Sequence, residues 1–244
     1  MESSNSVTHF TKKKTTLYKI LDSMYFKPSY CKEEIDVDLP YEQSSFTLGV
    51  PEVSFCDIPL SRILVHAKKY GKYGIALKKS WAINKGLTPI IYMEKHSKLA
   101  SAVTGNEYLV STLLAHGDLN EWANYKTEKL QKEYIRLLAF MKNYSNDLTR
   151  KNKTFSDYRF YDEREWRYVP DDLEVKVLYS NNFEEKADLN KSISSQGRLN
   201  FSVDDINYII LRKNSDVQTF YDKYNAKFNS LASKIITIEQ LMEY

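Results

Sequence analysis

Two glutamates two residues apart, Glu163 and Glu165, stand in the segment Tyr161-Asp162-Glu163-Arg164-Glu165-Trp166-Arg167-Tyr168-Val169-Pro170. The segment reads as a loop giving way to a strand. Side chains two apart in a strand project to one face, so the pair could present two carboxylates to a single cleft. Paired carboxylates do acid–base work or stabilise positive charge developing on a sugar. The competing reading is a charged strand edge whose glutamates pair with Arg164, Arg167 or solvent, and such surface charge is common and worth little.

Two other clusters carry suitable residue types. His9-Phe10-Thr11 closes the first predicted strand, where a histidine can bond a ribose hydroxyl or a carboxamide; a lone histidine is more often a hydrogen-bonded surface residue. Phe55-Cys56-Asp57-Ile58-Pro59-Leu60-Ser61, followed by Tyr70-Gly71-Lys72-Tyr73-Gly74-Ile75, reads as strand–helix–strand. Phe55, Ile58 and Leu60 belong to a core there, which leaves Asp57, Ser61 and Tyr73 for chemistry.

Several chemistries are excluded. The chain has neither GxxxxGK[ST] nor GxGxxG, and its seven glycines cannot supply phosphate cradles of that kind. No GxSxG, HExxH or EF-hand loop is present. Cys31 and Cys56 lie outside any CxxC or Cys/His spacing, and His9, His66, His96 and His116 are scattered, so no metal is expected.

These groups need a scaffold, and 244 residues with 42% apolar and 27% charged content suffice for one packed domain spanning 1–244. A net charge of +3 gives no general affinity for polyanions. Lys142, Arg150, Lys151 and Lys153 hint at one locally, though a solvated turn accounts for them better. The polar start Met1-Glu2-Ser3-Ser4-Asn5-Ser6 lacks a signal core, and no apolar run reaches the ~20 residues that span a bilayer. A soluble, reducing, cytoplasmic protein is expected, without membrane contact.

Hydropathy periodicity places the elements. Val7–Thr11 predicts a strand, and Leu17, Ile20, Leu21 and Met24 a helix capped by Thr15 or Thr16. Residues 27–49 read as a long loop able to gate a site. Val53–Cys56, Tyr73–Leu77 and Pro89–Met93 predict strands, with a helix after Pro59 that stops at Gly71. Residues 106–147 read as largely helical, with Leu130, Tyr134, Leu137, Leu138 and Met141 on one face. Residues 143–156 read as an exposed connection and 181–196 as a polar excursion. Glu165–Val169 and Val175–Tyr179 predict strands. The end alternates strand Ile206–Leu211, helix Val217–Leu231, strand Lys234–Ile238 and a helical tail. The pattern is α+β, a sheet with packed helices and a helical insertion at about 106–148.

In order along the chain, His9-Phe10-Thr11, Leu17-Tyr18-Lys19-Ile20-Leu21, Tyr30-Cys31-Lys32-Glu33-Glu34, Phe55 to Ser61, Tyr70 to Lys79 with Trp81, and Glu163 to Pro170 resemble the AbiGi family of bacterial abortive phage-resistance proteins, which carries an antitoxin label. A more distant resemblance is to the ADP-ribosyltransferase fold, and within it the DarT-like branch. It rests on the first-strand His-aromatic-Thr, the following L-x-x-I-L helix and the late glutamate-led strand.

The resemblance implies a mixed or antiparallel sheet core and NAD as substrate, with no metal. His9 and Thr11 would hold NAD, Tyr73 would stack on nicotinamide, Glu165 would be the catalytic carboxylate, and Glu163 would assist near the acceptor. Where that branch carries an arginine after the second strand, this chain has Asp57. His9 and Glu165 are then expected to converge on one pocket. The alternatives left open are a toxin-like effector modifying protein or nucleic acid, an NAD hydrolase, and a non-enzymatic antitoxin or regulatory subunit bound to a toxin partner.

Overall fold

The computed structural model describes residues 4–115, 121–150, 153–178, 183–193, 195, 197–228 and 233–243. β1 (Ser6–Thr11) leads into α1 (Lys14–Ser23). Leu17 and Leu21, one turn apart on one helix face, are wholly buried, which is worth about 1.5–3 kcal/mol for each side chain. Lys13, not Thr15 or Thr16, stands at the N-cap, without a side-chain cap.

After β2 (Tyr25–Phe26), β3 (Ser29–Leu39) and β4 (Glu42–Cys56) form one long antiparallel hairpin. The loop expected at 27–49, and its role as a gate, are therefore corrected. Acidic residues masked a two-residue period: Ile35 and Val37 are buried, while Glu34, Asp36 and Asp38 alternate with them along the strand.

A single turn of 3-10 helix at Leu60–Arg62 precedes α2 (Ile63–Tyr70). Gly71 ends that helix at φ 139, and a Cβ there would lie 2.0 Å from the Thr11 carbonyl. Only glycine lets this turn close on the end of β1. β5 (Tyr73–Lys78), α3 (Lys79–Asn84), β6 (Thr88–Pro89) and β7 (Ile91–Met93) follow.

The middle of the chain holds α4 (Lys98–Ala115) and α5 (Glu121–Leu138), then β8 (Met141–Asn143). Helix thus begins before 106 and stops before 141. Tyr134, Ile135 and Leu138 turn inward, whereas Leu130 and Leu137 are exposed, which corrects the single apolar face inferred for this stretch. β9 (Ser145–Arg150) and β10 (Lys153–Arg159) make a hairpin where an exposed connection was expected.

A 3-10 turn at Phe160–Glu163 leads to β11 (Glu165–Tyr168). Next come β12 (Lys176–Val177), α6 (Lys186–Ser192) within the stretch read as a polar excursion, and β13 (Leu199–Asn200). β14 (Ile206–Leu211), α7 (Ser215–Phe228), β15 (Ile235–Thr237) and α8 (Ile238–Met242) close the chain in the order that periodicity predicts, while the end of the expected helix, residues 229–231, lies outside the described residues.

The fold is α+β with a mixed sheet in the order β15-β14-β5-β1-β4-β11-β6, in which β14 and β15 are parallel. Three apolar clusters hold it. One packs α1, α3 and α7 on one face of the sheet through Leu17, Leu21, Trp81 and Phe220. A second sets α2 and α8 against the other face through Ile63, Ala67, Ile210 and Ile238. The third joins α4, α5, β7 and β8 to the β3–β4 hairpin through Met93, Val103, Leu138 and Met141.

One irregularity positions the site. β1 pairs with β5 along its whole length, yet meets β4 only at Thr8↔Cys56. Beyond that pair the two strands part, and the sheet splits.

Candidate functional site at the sheet split

A cavity of about 660 Å³ opens at the split, and His9, Glu163 and Glu165 all line it. They reach it by different routes. Thr8, Cys56 and Glu165 stand opposite one another across β1, β4 and β11, hence on one face of the sheet. His9, next to Thr8, belongs to the other face and borders the cavity through the gap between the strands. Its Nδ1 lies 2.9 Å from the Ser54 carbonyl on β4. A carbonyl only accepts, so Nδ1 carries the proton and Nε2 is left as an acceptor. Burial lowers the His9 pKa, outweighing that hydrogen bond, and the ring sits 5.1 Å from Phe26 and 5.6 Å from Phe55.

Glu163 and Glu165 are not neighbours on one strand, as their spacing suggested. Glu163 ends the 3-10 turn, and Arg164, with φ 46, breaks the backbone between them. The same-face pair on β11 is Glu165 and Arg167, both buried. The Arg167 Nη2 donates to Glu165 Oε1 at 2.8 Å and lies 3.2 Å from Glu33 Oε2. Its Nε–H points to Glu165 Oε1 at 3.0 Å. Glu52 Oε2 is close to that nitrogen, at 2.6 Å, but receives no aligned hydrogen bond, because Nε has a single proton to give. Nη1 donates to the Ala139 carbonyl just past α5.

Lys142, on β8, supplies the second cation. Its Nζ is 3.1 Å from Glu165, 3.6 Å from Glu163 and 3.8 Å from Glu33. Two cations therefore serve four carboxylates. Burial is the largest influence on Glu52, Glu163, Glu165, Lys142 and Arg167. It pushes Glu163 up to about 9, with Glu165 and Glu33 adding to the rise, and Glu52 up to about 7 despite Arg167. Burial would raise Glu165 too, but the charges and hydrogen bonds of Arg167 and Lys142 prevail and hold it at about 2. The same carboxylates raise the pKa of Lys142 and Arg167 against desolvation. The surroundings thus favour the protonated form of Glu163 and the ionised form of Glu165 in one cavity. The Tyr70 hydroxyl donates to Glu163 Oε1, and the Tyr70 ring stacks on His66 at 4.2 Å.

A pH prediction follows from linkage. The folded pKa of Glu163 exceeds its ordinary value of 4.5, so the native state keeps a proton that the unfolded chain loses. This contribution to stability is complete below about 4.5 and lost as pH rises toward 9. Glu52 acts in the same direction up to about 7. Glu165 has the opposite sign: its contribution is present above 4.5 and lost as pH falls toward 2. Glu163→Gln is thus expected to flatten the fall of Tm between pH 4.5 and 9. Thermal melts of both proteins across that window check it, and parallel curves would refute it.

The other residues singled out by sequence lie elsewhere. Tyr73 does not line the cavity; its hydroxyl bonds Asp216 at 3.3 Å, and Asp216 pairs with Lys14 at 3.0 Å. Thr11 donates to the Lys13 carbonyl at 3.1 Å, at the turn into α1. Asp57 pairs with Lys79 at 2.7 Å and accepts from the Ser4 amide at 3.0 Å. The aromatics that reach the glutamates are Tyr70, which donates to Glu163, and Tyr92, whose hydroxyl accepts from the Glu165 amide at 2.8 Å. Arg167 was legible, since the two-residue parity that singled out Glu165 also covers it. Glu33, Glu52 and Lys142 carry no local signal, because three separate strands bring them in.

Comparison with known proteins adds the family. The family described as "Putative abortive phage resistance protein AbiGi, antitoxin" matches residues 24–212. The abortive phage resistance protein AbiGi of Lactococcus lactis subsp. cremoris is 30% identical over 251 aligned positions, covering 91% of this chain and 97% of that protein. No solved structure matches. Among the described residues, no helix is long and apolar enough to cross a membrane. A match across most of the chain, over residues that include β1's partner strands and the entire charged cluster, leaves a plain conclusion: the chain belongs to the AbiGi family.

Proposed function

We propose that this chain is an anti-phage defence protein that cleaves the nicotinamide–ribose bond of NAD in the cavity at the sheet split and passes the ADP-ribosyl group to a macromolecule, as an ADP-ribosyltransferase does. The observation that carries the reading is the Glu163–Glu165 pair, two of the four carboxyls that line the cavity, whose surroundings drive their protonation states apart. Such divergence marks acid and base assignments in active sites.

Cleavage moves the bonding electrons onto the nicotinamide nitrogen and leaves positive charge on the sugar, an oxocarbenium-like state. A fixed carboxylate in a dry site stabilises that charge by about 3–4 kcal/mol. Glu165 is ionised for this task because Arg167 and Lys142 hold it so. Arg167 takes its Oε1, and Oε2 is shared with Lys142, which also lines the cavity. Glu163 donates a hydrogen bond while protonated and serves as base to the acceptor once deprotonated. His9 Nε2 accepts from a ribose hydroxyl. The cavity volume lies in the range of small-molecule sites. Lys27, Lys32 and Lys186 on its lining match the charge of a pyrophosphate.

The test is nicotinamide release from NAD by the purified protein, with phage plating on cells that express it. Wild type is expected to release nicotinamide. His9→Ala is expected to be about tenfold slower, the effect of one lost hydrogen bond. No release, with or without an extract of infected cells, refutes the reading.

A second reading, a non-enzymatic antitoxin that binds a toxin, draws on the family description. It is also favoured by the engagement of Glu165 with two cations and by the exposure of Leu130 and Leu137 on α5. Stable co-purification with a co-expressed toxin, without NAD turnover, would select it.

A further inference from the structure

The short helix α6 has no buried residue, yet it lies against β3 and brings Lys186 to the wall of the large cavity. Polar contacts hold it there. The Asn190 side-chain oxygen accepts from the Tyr30 amide at 2.8 Å, and the Asn190 carbonyl accepts from the Lys27 Nζ at 3.3 Å. Ahead of the helix, Phe183 meets the Tyr30 ring edge-on at 6.1 Å and lies over Gly49, where a Cβ would come within 2.6 Å of it. The segment gains a buried anchor only at its end, Ile193. A helix attached in this way opens easily, because water replaces its hydrogen bonds and little apolar surface is uncovered.

Charge gives that motion a direction. Lys27 and Lys32, just before and on β3, line the same cavity as Lys186 on α6. Lys32 pairs with Glu34 at 2.5 Å. Lys191, the other lysine of α6, pairs with Asp188 at 2.9 Å and does not line the cavity. Lys186 has no such partner among the described residues, and its charge acts on the Cys31 thiol of the cavity wall. Cations on two elements repel one another across a mouth, and a multiply charged anion between them reverses the sign.

We infer that α6 is a lid of the large cavity that closes on a pyrophosphate-bearing ligand through Lys186, with Asn190 as its latch on β3. The inference rests on the reading of this cavity as a dinucleotide site, and Lys186 is a positioning residue in it. A ligand shifts a lid only by binding the closed state better than the open one. Lys186 supplies that difference, since it is the cation of the cavity lining that travels with α6. Closure also removes water from the cavity, which strengthens the electrostatics around Glu165.

The test is hydrogen–deuterium exchange on the full chain, with and without ADP-ribose, which carries the pyrophosphate and has no nicotinamide bond to break. Binding is read separately by titration calorimetry. In the free protein the amides of residues 186–192 are expected to exchange at least tenfold faster than those of the paired strands β1 and β5. Bound ADP-ribose is expected to slow them, and the Tyr30 amide with them. Lys186→Gln is expected to weaken binding about tenfold, the effect of one charge-assisted contact, and to abolish the slowing while exchange of the free protein stays unchanged. Lys191→Gln is expected to match wild type in both respects. Asn190→Ala is expected to speed exchange of α6 and of the Tyr30 amide in the free protein. Binding of ADP-ribose with no change at α6, or equal behaviour of Lys186→Gln and Lys191→Gln, overturns the lid and leaves the dinucleotide reading standing. No binding of ADP-ribose overturns both.

Discussion

Arg167→Met is expected to cost about 3–5 kcal/mol of stability, the usual penalty for removing one partner from a buried ion pair. The side chain is wholly buried and touches Glu165, Glu52 and Glu33 at once. Methionine fills much of the volume but returns no charge. Lys142 alone would then face four carboxylates, and the extra protonation this forces would appear as a steeper loss of stability with rising pH. Urea or thermal denaturation at neutral pH measures the cost. A loss under about 1 kcal/mol, the scale of surface pairs, would mean that the cluster is wet and its geometry unimportant.

Glu165→Gln has the second large effect, and it separates the site from the scaffold. Under the transferase reading, nicotinamide release is expected to fall by about 10²–10³-fold, the usual consequence of losing one preorganised electrostatic group. As surface charge on a strand edge, the alternative that its sequence leaves open, Glu165 would cost little to replace. Burial against Arg167 and Lys142 changes that expectation to a measurable destabilisation. It should be smaller than for Arg167→Met, because Glu52, 2.6 Å from the Arg167 Nε, can ionise in its place. The decisive comparison sets rate against stability. If Glu165→Gln and wild type release nicotinamide equally, Glu165 is an anchor for Arg167, and the partner-binding reading takes precedence.

Part of this architecture was legible from residue order. The closing strand–helix–strand of β14, α7 and β15 showed in its periodicity because each element has one apolar face and turns with a clear signal. α1 showed for the same reason, through Leu17 and Leu21. The β3–β4 hairpin did not, since Glu33, Glu34, Asp36 and Asp38 lower the mean hydropathy of a segment whose Ile35 and Val37 are buried. Glu33 and Glu52 share the face of Ile35 and Val37 and enter the charged cluster there, so part of the polar content that suggests a loop belongs to a site.

The sequence by itself determined the family, through motifs in a set order, and which residue types were available for chemistry. It determined that His9, Glu163 and Glu165 were worth testing. Only the tertiary structure decided their roles. Glu163 and Glu165 meet through a left-handed Arg164 rather than strand parity, and Tyr73 is drawn away to Asp216. Which glutamate keeps its proton depends on Arg167 and on Lys142, which β8 places 3.1 Å from Glu165. Coulomb interactions of this size act through space over a few ångströms in a dry interior. Separation along the chain says nothing about them, so folding alone sets the charge state of the site.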